Sequence, residues 1–342
     1  MRGFLKPAAG FTCLFALATA GCSTGSHSTS DAAPKPPKRS SSSPSEEAGS
    51  TTSYAPYVSA TEASDNDSAG SPTTYNLAFV IADGSDCTPT WNGEKAISDS
   101  AVKSRISQLE EDGATVRVSF GGASGKELAA TCDSATELAA AYGKALDAAG
   151  SAQADFDIEG DELTDSDSVA LRSEAIALLQ KERSDLEVTF TLPVMPSGLD
   201  SDSLALLESA NKYDVQVSTV DLMTMNYGES YDDDMGDYAL TSAEAAHTQL
   251  KKVFGLSDAG AWQGMALTSM IGVNDVDNET FTLSDAAQVR TFAEEKEIAW
   301  VSMWSTFRDQ QCADGNSDED DAATDCSGVK QSSGAFGEAF AG

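Results

Sequence analysis

Histidines and basic side chains are scarce in this sequence, and their scarcity argues against several classes of function. The 342 residues include only two histidines, His27 and His247, and 21 Lys and Arg against 55 Asp and Glu, a formal charge of −34. Two histidines argue against a histidine-rich metal centre and against a Ser-His-Asp triad. So much negative charge repels nucleic acid and anionic lipid headgroups. We therefore expect neutral or cationic partners, with no nucleic acid, no metal and no cofactor.

Long apolar runs are lacking too, and the first short one lies at the N-terminus. Residues 8–20 are mostly apolar and follow a basic start, which predicts a signal peptide over residues 1–22. The run is too short for a membrane-spanning helix. Its end, Thr19-Ala20-Gly21-Cys22, resembles a bacterial lipobox with Thr where Leu is usual. We therefore predict lipidation of Cys22, and the alternative is ordinary secretion with cleavage nearby.

Apolar side chains are almost missing from residues 23–53, which are rich in Ser, Thr, Pro, Lys and Glu. Such a segment cannot bury enough surface to offset the entropy that folding costs. We predict a disordered tether there and a folded domain over residues 54–342. The leader and tether together predict an extracellular or cell-surface protein of a bacterium, which contacts the membrane only through a lipid anchor at Cys22.

Four cysteines remain beyond the leader, namely Cys87, Cys132, Cys312 and Cys326. An even number of cysteines in an exported protein suggests a disulfide framework. We favour the pairs Cys87–Cys132 and Cys312–Cys326, although the sequence alone leaves the other pairings open.

Apolar strand patterns alternate with helical patterns after residue 54. Continuous apolar runs such as residues 76–82 are typical of strands buried on both faces. Alternation with helices of roughly 10–15 residues favours parallel strands joined by helical crossovers. Eight such strands predict an α/β fold of the (β/α)8 TIM-barrel class. The predicted strands cover residues 54–61, 76–82, 115–120, 154–160, 187–192, 219–227, 265–271 and 298–304, and the predicted helices cover residues 98–111, 134–149, 167–181, 204–212, 241–254 and 283–297.

The most informative stretch is Ala154-Asp155-Phe156-Asp157-Ile158-Glu159-Gly160. Side chains of a strand alternate between its two faces, so the three acids share one face and the apolar side chains share the other. An acidic inner face and an apolar outer face suit a barrel covered by helices. Glu159 is the acid nearest the carboxyl end of the strand, where barrel enzymes hold their catalytic groups.

Three carboxyl groups this close repel one another, so at least one of them should titrate at a raised pH. A protonated Glu159 beside an ionised Asp157 is the arrangement that general acid catalysis needs. The alternatives are a divalent-metal site built from oxygen ligands and a solvated edge strand. Phe156 and Ile158 argue against the edge strand because they require burial. Two carboxyl groups could also be the acid and the nucleophile of a glycosidase, which lie on opposite sides of the glycosidic bond that is cleaved. Asp157 and Glu159 point the same way from one strand and cannot be placed so. This favours the alternative in which the acetamide group of the substrate is the nucleophile.

Several segments together resemble glycoside hydrolase family 18, the chitinases. The stretch 155–160 matches the catalytic strand of that family, and Ser119-Phe120-Gly121-Gly122 and Leu222-Met223-Thr224-Met225-Asn226-Tyr227-Gly228 resemble its third and sixth strands. The segments 270–275, 303–305 and 308–309 resemble strands seven and eight of the bacterial chitinase D-like subgroup. Cys312 and Cys326 also fall where this subgroup has cysteines.

The resemblance implies a role for each candidate site residue. Glu159 would protonate the leaving oxygen, Asp157 would orient the acetamide, and Asp155 would share a proton or charge with Asp157. Tyr227 and Asn226 would contact the acetamide, and Trp304 would form the apolar floor beneath the sugar. The remaining substrate-binding candidates from these motifs are Met225, Gly121 and Gly122.

Two positions depart from the family pattern. An acid that often lies three residues before Asp155 is replaced by Ala152. The sixth strand often carries Tyr followed by Asp, and here two registers are open, Met225-Asn226 or Tyr227-Gly228. Asp is absent in both, and Asn can form hydrogen bonds but cannot carry charge.

The resemblance implies that residues 54–342 form a glycoside hydrolase catalytic domain. We expect a monomer that cleaves β-1,4-linked N-acetylglucosamine in chitin or chito-oligosaccharides with retention, with Glu159 as the general acid. The alternatives are an endo-β-N-acetylglucosaminidase that acts on N-glycans and a catalytically silent carbohydrate-binding protein.

Overall fold

Parallel strands and covering helices organise the chain from residue 51 onward. The computed structural model describes residues 51–313 and 325–342. The predicted signal peptide, Cys22 and almost all of the predicted tether lie outside the described residues. Within the described part of the chain, no helix is long and apolar enough to cross a membrane.

Eight parallel strand positions form the central sheet. Hydrogen-bonded neighbours within the sheet follow the order β1-β13-β10-β9-β8-β7-β6-β3, with the residue ranges given below. β1 pairs with β13, and β2 pairs with β3, so the segment 53–59 links the first and last strands of this order. The predicted (β/α)8 barrel is thereby confirmed. The strands are β1 (Ser53–Tyr54), β2 (Tyr57–Ser59), β3 (Thr74–Asp83), β4 (Asp86–Trp91), β5 (Lys95–Ala96), β6 (Thr115–Gly121), β7 (Gln153–Asp157), β8 (Glu187–Pro193), β9 (Thr219–Met223), β10 (Met265–Met270), β11 (Gly272–Val273), β12 (Thr280–Phe281) and β13 (Trp300–Trp304).

Helices follow most of the barrel strands, and side-chain caps fix where several of them begin. Ser134 accepts a hydrogen bond from the third residue of α2, and Thr282 forms a capping box with Asp285 at the start of α8. The helices are α1 (Ser100–Leu109), α2 (Ala135–Ala149), α3 (Gly160–Thr164), α4 (Ser166–Glu182), α5 (Ser201–Lys212), α6 (Met235–Phe254), α7 (Asp258–Gln263), α8 (Leu283–Lys296) and α9 (Ala335–Ala341), with 3₁₀ turns at Leu128–Ala130 and Thr306–Arg308.

The structure corrects several predicted boundaries. The predicted strand 54–61 is two short strands separated by Ala55 and Pro56, and proline cannot donate a ladder hydrogen bond. The folded domain begins before residue 54, since the buried Thr52 donates a hydrogen bond to the carbonyl oxygen of Ile298 at 2.7 Å. β9 ends at Met223, four residues before the predicted end, and an antiparallel hairpin of β4 and β5 follows β3 without having been predicted.

The outer face of β7 is buried, as the alternating pattern predicts. Ala154, Phe156 and Ile158 are each 0% exposed. The Phe156 ring lies 5.2 Å from that of Phe120 on β6 and 5.0 Å from that of Tyr142 on α2, centroid to centroid. Aromatic packing between strand and helix therefore fixes the strand that carries the acids.

The inner face of the barrel is strongly polar. Asp155, Asp157 and Asp221 all lie inside it and are at most 6% exposed. Arg117 on β6 shares this interior, where it donates a hydrogen bond to Asn76 at 2.7 Å and lies over the Trp300 ring. Burial raises the pKa of Asp221 to about 7, although Thr268 donates a hydrogen bond to its Oδ2 at 2.7 Å.

A second buried ionic group lies behind β6 and β7, on the helix side. Arg172 on α4 donates two hydrogen bonds to one carboxylate oxygen of Glu127, at 2.8 and 3.1 Å. Tyr142 donates to the other oxygen at 2.5 Å. Arg172 and Glu127 are almost fully buried, so each depends on the other for compensation of its charge.

We expect Arg172→Leu to lower the free energy of unfolding by about 3–5 kcal/mol, because it leaves the buried Glu127 carboxylate without a cation. The matched control is Arg183→Leu, since the Arg183–Asp147 ion pair is largely solvent-exposed and should contribute about 1 kcal/mol or less. Urea unfolding followed by circular dichroism measures both. Equal losses in the two variants would contradict a structural role for the buried pair.

We also expect Asp221 to make the fold less stable as the pH rises. Its pKa is raised in the folded state, so between about pH 4 and pH 7 the unfolded chain ionises while the folded protein keeps the proton. The stabilisation from the protonated form is complete below pH 4 and lost through pH 7, a change of up to about 4 kcal/mol. Asp221→Asn should remove this loss, whereas Asp185→Asn on the surface should not. Urea unfolding at several pH values checks this, and a pH-independent difference between wild type and Asp221→Asn would refute it.

Candidate active site

A pocket opens at the carboxyl ends of the barrel strands, where the sequence places Glu159. Asp157 ends β7, Trp304 ends β13 and Met270 ends β10, so the three side chains converge on one space. The residues that line it are Tyr57, Phe79, Ala123, Asp157, Glu159, Thr191, Met223, Met225, Asn226, Thr268, Met270, Asp275 and Trp304.

Asp155 lies beneath this pocket and is fixed by three hydroxyl groups. Ser119 and Tyr57 donate hydrogen bonds to its Oδ2 at 2.5 and 2.9 Å, and Thr191 donates to its Oδ1 at 2.7 Å. Burial raises the pKa of Asp155, while these hydrogen bonds and the charge of Arg117 oppose that shift. Asp155 is therefore held by the adjacent strands β6 and β8 and by Tyr57 of β2.

Asp157 and Glu159 form the reactive pair of carboxyl groups. They hydrogen-bond with each other, and Oδ1 of Asp157 is buried without a hydrogen-bond partner among the residues that the structure describes. Burial and the negative charges of Glu159, Asp155 and Asp221 raise the pKa of Asp157 well above its usual range. Burial also raises the pKa of Glu159, and the hydrogen bond with Asp157 partly opposes it. One proton shared between the two groups relieves their repulsion.

Glu159 owes its position to the end of β7. The strand stops at Asp157, and Glu159 keeps an extended backbone and precedes the first residue of α3. The alternation of side chains therefore continues for two residues beyond the strand. Gly160 has a φ of +54°, a conformation that glycine adopts without strain, so the chain can turn sharply into the helix.

Aromatic rings form one wall of the pocket. The rings of Trp304 and Phe79 are stacked at a centroid distance of 5.6 Å, and Tyr57 packs edge-on against Trp304 at 5.8 Å. Trp304 remains partly exposed, so its face is available to a ligand. An apolar ring beside paired carboxyl groups can bind the C–H face of a sugar.

The wall opposite these rings contains residues of the sixth-strand motif, for which two registers were open, Met225-Asn226 or Tyr227-Gly228. Met225 and Asn226 line the pocket, whereas Tyr227 is 4% exposed and does not. The Tyr227 ring packs against those of Tyr238 and Tyr231, at centroid distances of 5.7 and 5.9 Å. Tyr227 therefore packs beneath the loop and lies outside the pocket lining, and its predicted contact with the acetamide stays a prediction.

Gly121 and Gly122 also differ from their predicted role, since neither lines the pocket. A Cβ on Gly121 would lie 2.1 Å from the carbonyl oxygen of Asp157, and one on Gly122 would lie within 3 Å of the Phe79 ring. Both glycines have positive φ, +97° and +90°. Because they lack a Cβ, they allow the end of β6 to approach Asp157 and Phe79 closely. They therefore affect the pocket through the positions of these two lining residues.

Eight residues of the pocket lining were not predicted as site residues, namely Tyr57, Phe79, Ala123, Thr191, Met223, Thr268, Met270 and Asp275. Tyr57, Phe79 and Thr191 occupy strands whose apolar or β-branched pattern predicted only core. Asp275 was quoted within a strand motif, but no role was assigned to it. The register of the strands, in which Asp157 lies opposite Thr191 and Thr191 opposite Asp221, would have indicated shared inner positions.

Over residues 51–313 and 325–342, no group of three or more His, Cys, Asp or Glu side chains is arranged to hold a metal ion. The two disulfides join Cys87 to Cys132 and Cys312 to Cys326, which is the favoured pairing. Cys87 lies on the unpredicted strand β4, and its disulfide ties the hairpin to the segment before α2.

Two proteins with chitinase names are similar to this chain in sequence. No family model matches the chain. A probable bifunctional chitinase/lysozyme from Escherichia coli is 34% identical over 275 residues, 75% of this chain and 31% of that protein. Endochitinase 11 from Metarhizium anisopliae is 32% identical over 278 residues, 76% of this chain and 53% of that protein. The chain thus spans about a third of the first relative and about half of the second.

A solved structure covers the described domain more completely. The catalytic domain of a hyperthermophilic chitinase from Pyrococcus furiosus matches with a TM-score of 0.74 at 29% identity, over 85% of this chain and 94% of that one. Three observations indicate the same family. They are the barrel fold, the acidic strand that ends beside an aromatic wall, and the similarity to these three proteins. The chain belongs to glycoside hydrolase family 18, the family of the chitinases.

Proposed function

We propose that this protein is a retaining glycoside hydrolase that cleaves β-1,4-linked N-acetylglucosamine in chitin or chito-oligosaccharides. The observation that carries the proposal is the pairing of Asp157 with Glu159 beside the exposed face of Trp304, in one pocket at the carboxyl ends of the strands. The chitinases among its relatives support this substrate class.

Glu159 is the proton donor in this proposal. Its raised pKa keeps it protonated at a pH where an exposed glutamic acid is ionised, so it can deliver a proton to the leaving glycosidic oxygen. Asp157 hydrogen-bonds with it from the same strand end and fixes its orientation.

Asp157 supports the substrate's acetamide as the nucleophile. Asp157 and Glu159 lie on one side of the pocket, so they cannot attack from one face of the sugar while protonating on the other. The carbonyl oxygen of the acetamide can attack the anomeric carbon instead, while the glycosidic C–O bond breaks and the leaving oxygen takes the proton of Glu159. Water, which gives a proton back to the ionised Glu159, then opens the resulting oxazolinium ion and yields a product with retained configuration. Oδ1 of Asp157, which has no hydrogen-bond partner among the described residues, is available to accept the acetamide N–H and stabilise this cation.

The aromatic wall contributes binding and the exclusion of water. A sugar that packs on Trp304 displaces solvent from the space between the ring and the carboxyl groups. The electrostatic interactions of Asp157 and Glu159 with the sugar are stronger in the water-poor site that results. Met225 and Met270 line the same pocket and add apolar surface around the acetamide.

We further propose that the protein is exported and anchored to the bacterial surface through Cys22, and that it acts as a monomer. Two disulfides in the described domain are consistent with an oxidising compartment. A tether that ends before Thr52 would hold the barrel away from the membrane.

We expect Glu159→Gln to lower kcat on chito-oligosaccharides by about 10²–10⁴-fold, because the amide cannot donate a carboxyl proton. Binding of the same oligosaccharides, measured by calorimetry, should change little, since the side chain keeps its shape. Asp161→Asn, an exposed position on α3, is the matched control and should keep wild-type turnover. Full activity in Glu159→Gln would eliminate the proposed acid.

We expect oligosaccharides whose sugar at the cleavage point lacks the N-acetyl group to resist hydrolysis, because they lack the nucleophile. Product analysis by mass spectrometry and NMR compares them with N-acetylated chito-oligosaccharides and with an N-glycoprotein. Release of a glycan that leaves one N-acetylglucosamine on the asparagine would favour the endo-β-N-acetylglucosaminidase alternative. Cleavage of the sugar without acetamide would instead require a protein nucleophile, and Asp275 on the facing wall would be the candidate.

A further inference from the structure

Asp275 lies in the loop after β10 and lines the same pocket as Glu159, from the opposite wall. We propose that Asp275, held in place by Asn226, is a positioning residue whose negative charge keeps Glu159 protonated. Its value for catalysis rests on the function proposed above, whereas its effect on the protonation of Glu159 does not.

Asn226 holds Asp275 through two hydrogen bonds that run in opposite directions. Its side-chain amide nitrogen donates to Oδ2 of Asp275 at 3.1 Å, and its side-chain oxygen accepts the backbone N–H of Asp275 at 3.1 Å. The carboxylate and the backbone of Asp275 are thus fixed by one neutral side chain. An aspartate at position 226 could accept the N–H but could not donate to the second carboxylate.

Asn226 is itself held in an unusual backbone conformation. Its φ is +53°, in the left-handed region that asparagine tolerates better than most residues. The buried carboxylate of Glu279 accepts the backbone N–H of Gly228 at 2.7 Å. This hydrogen bond fixes the backbone two residues after Asn226. The position of Asp275 therefore depends on a chain of contacts that begins at Glu279.

Charged groups surround Glu159 and Asp275 from three directions. Burial raises the pKa of Glu159 most, the hydrogen bond with Asp157 on the same strand end lowers it, and the negative charge of Asp275 raises it. Arg308, from the 3₁₀ turn after β13, is the positive group that interacts with Asp275. Arg308 is fully buried and donates hydrogen bonds to the carbonyl oxygens of Ile271 and Val273, so it is fixed as well.

The carboxyl groups of Asp275 and Glu159 have different surroundings, which give them different functions. Asp275 is exposed to solvent, and its charge interacts with that of Arg308. Glu159 is more buried, and a second negative charge in the same pocket disfavours its ionisation. Loss of the Asp275 charge would also leave Arg308 uncompensated, which favours the ionised form of Glu159 further. Both changes act in the same direction.

The test follows Glu159 directly by NMR. The full chain is labelled with ¹³C at glutamate side-chain carboxyl groups, and the signal that disappears in Glu159→Gln is assigned to Glu159. We expect the titration midpoint of this signal to fall by roughly one pH unit in Asp275→Asn, a tenfold weaker hold on the proton. Asp275→Glu, which keeps the charge, should restore most of the midpoint. Asp277→Asn, in the same exposed loop but outside the pocket lining, should leave it unchanged.

An unchanged midpoint in Asp275→Asn would overturn the proposal, as would an equal fall in Asp277→Asn. A second readout is the pH profile of kcat on chito-oligosaccharides, whose alkaline limb should move to lower pH in Asp275→Asn in step with the NMR midpoint. A wild-type chain that titrates as expected but cleaves no such substrate would refute the proposed function and leave this inference standing.

Discussion

The structure depends on burying three carboxyl groups, those of Asp155, Asp157 and Asp221, in a barrel whose interior they share with Arg117. One guanidinium cannot neutralise three carboxylates, so the interior must retain protons near neutral pH. Hydroxyl groups of Tyr57, Ser119, Thr191 and Thr268 compensate part of this burial by donating hydrogen bonds. In the proposed mechanism, this excess of buried negative charge favours a protonated carboxyl group at the pocket above.

The apolar side chains on the outer face of the same strands stabilise the barrel by packing. Phe120, Phe156 and Phe190 lie side by side on β6, β7 and β8, and Tyr142 packs across two of them. Tyr142 also donates to Glu127, so the aromatic layer is joined to the buried Arg172–Glu127 pair. The acids on the inner face are therefore held by packing on the outer face, and a polar interior is compatible with a stable barrel.

Much of the fold could be predicted because its determinants are local. Alternation fixes which side of residues 153–159 is buried, and capping residues such as Ser134 mark where helices begin. The β4–β5 hairpin escaped prediction because its strands are short and polar, and the stability of β4 comes from pairing with β3 rather than from its own pattern. Of the pocket, the acids on one strand could be predicted because they are consecutive inner residues. Tyr57, Phe79 and Asp275 could not, since only the closure of the barrel brings them to Glu159.

The sixth strand shows why a motif alone does not settle a site. Tyr227 and Asn226 are adjacent in the sequence, yet one is buried beneath the loop and the other faces the pocket. The left-handed backbone of Asn226 sends the two side chains in different directions. As a result Asn226, which cannot carry charge, holds an aspartate from the neighbouring loop at the pocket wall. The negative charge missing from the sixth strand is thus supplied by Asp275, and only three-dimensional contacts reveal the substitution.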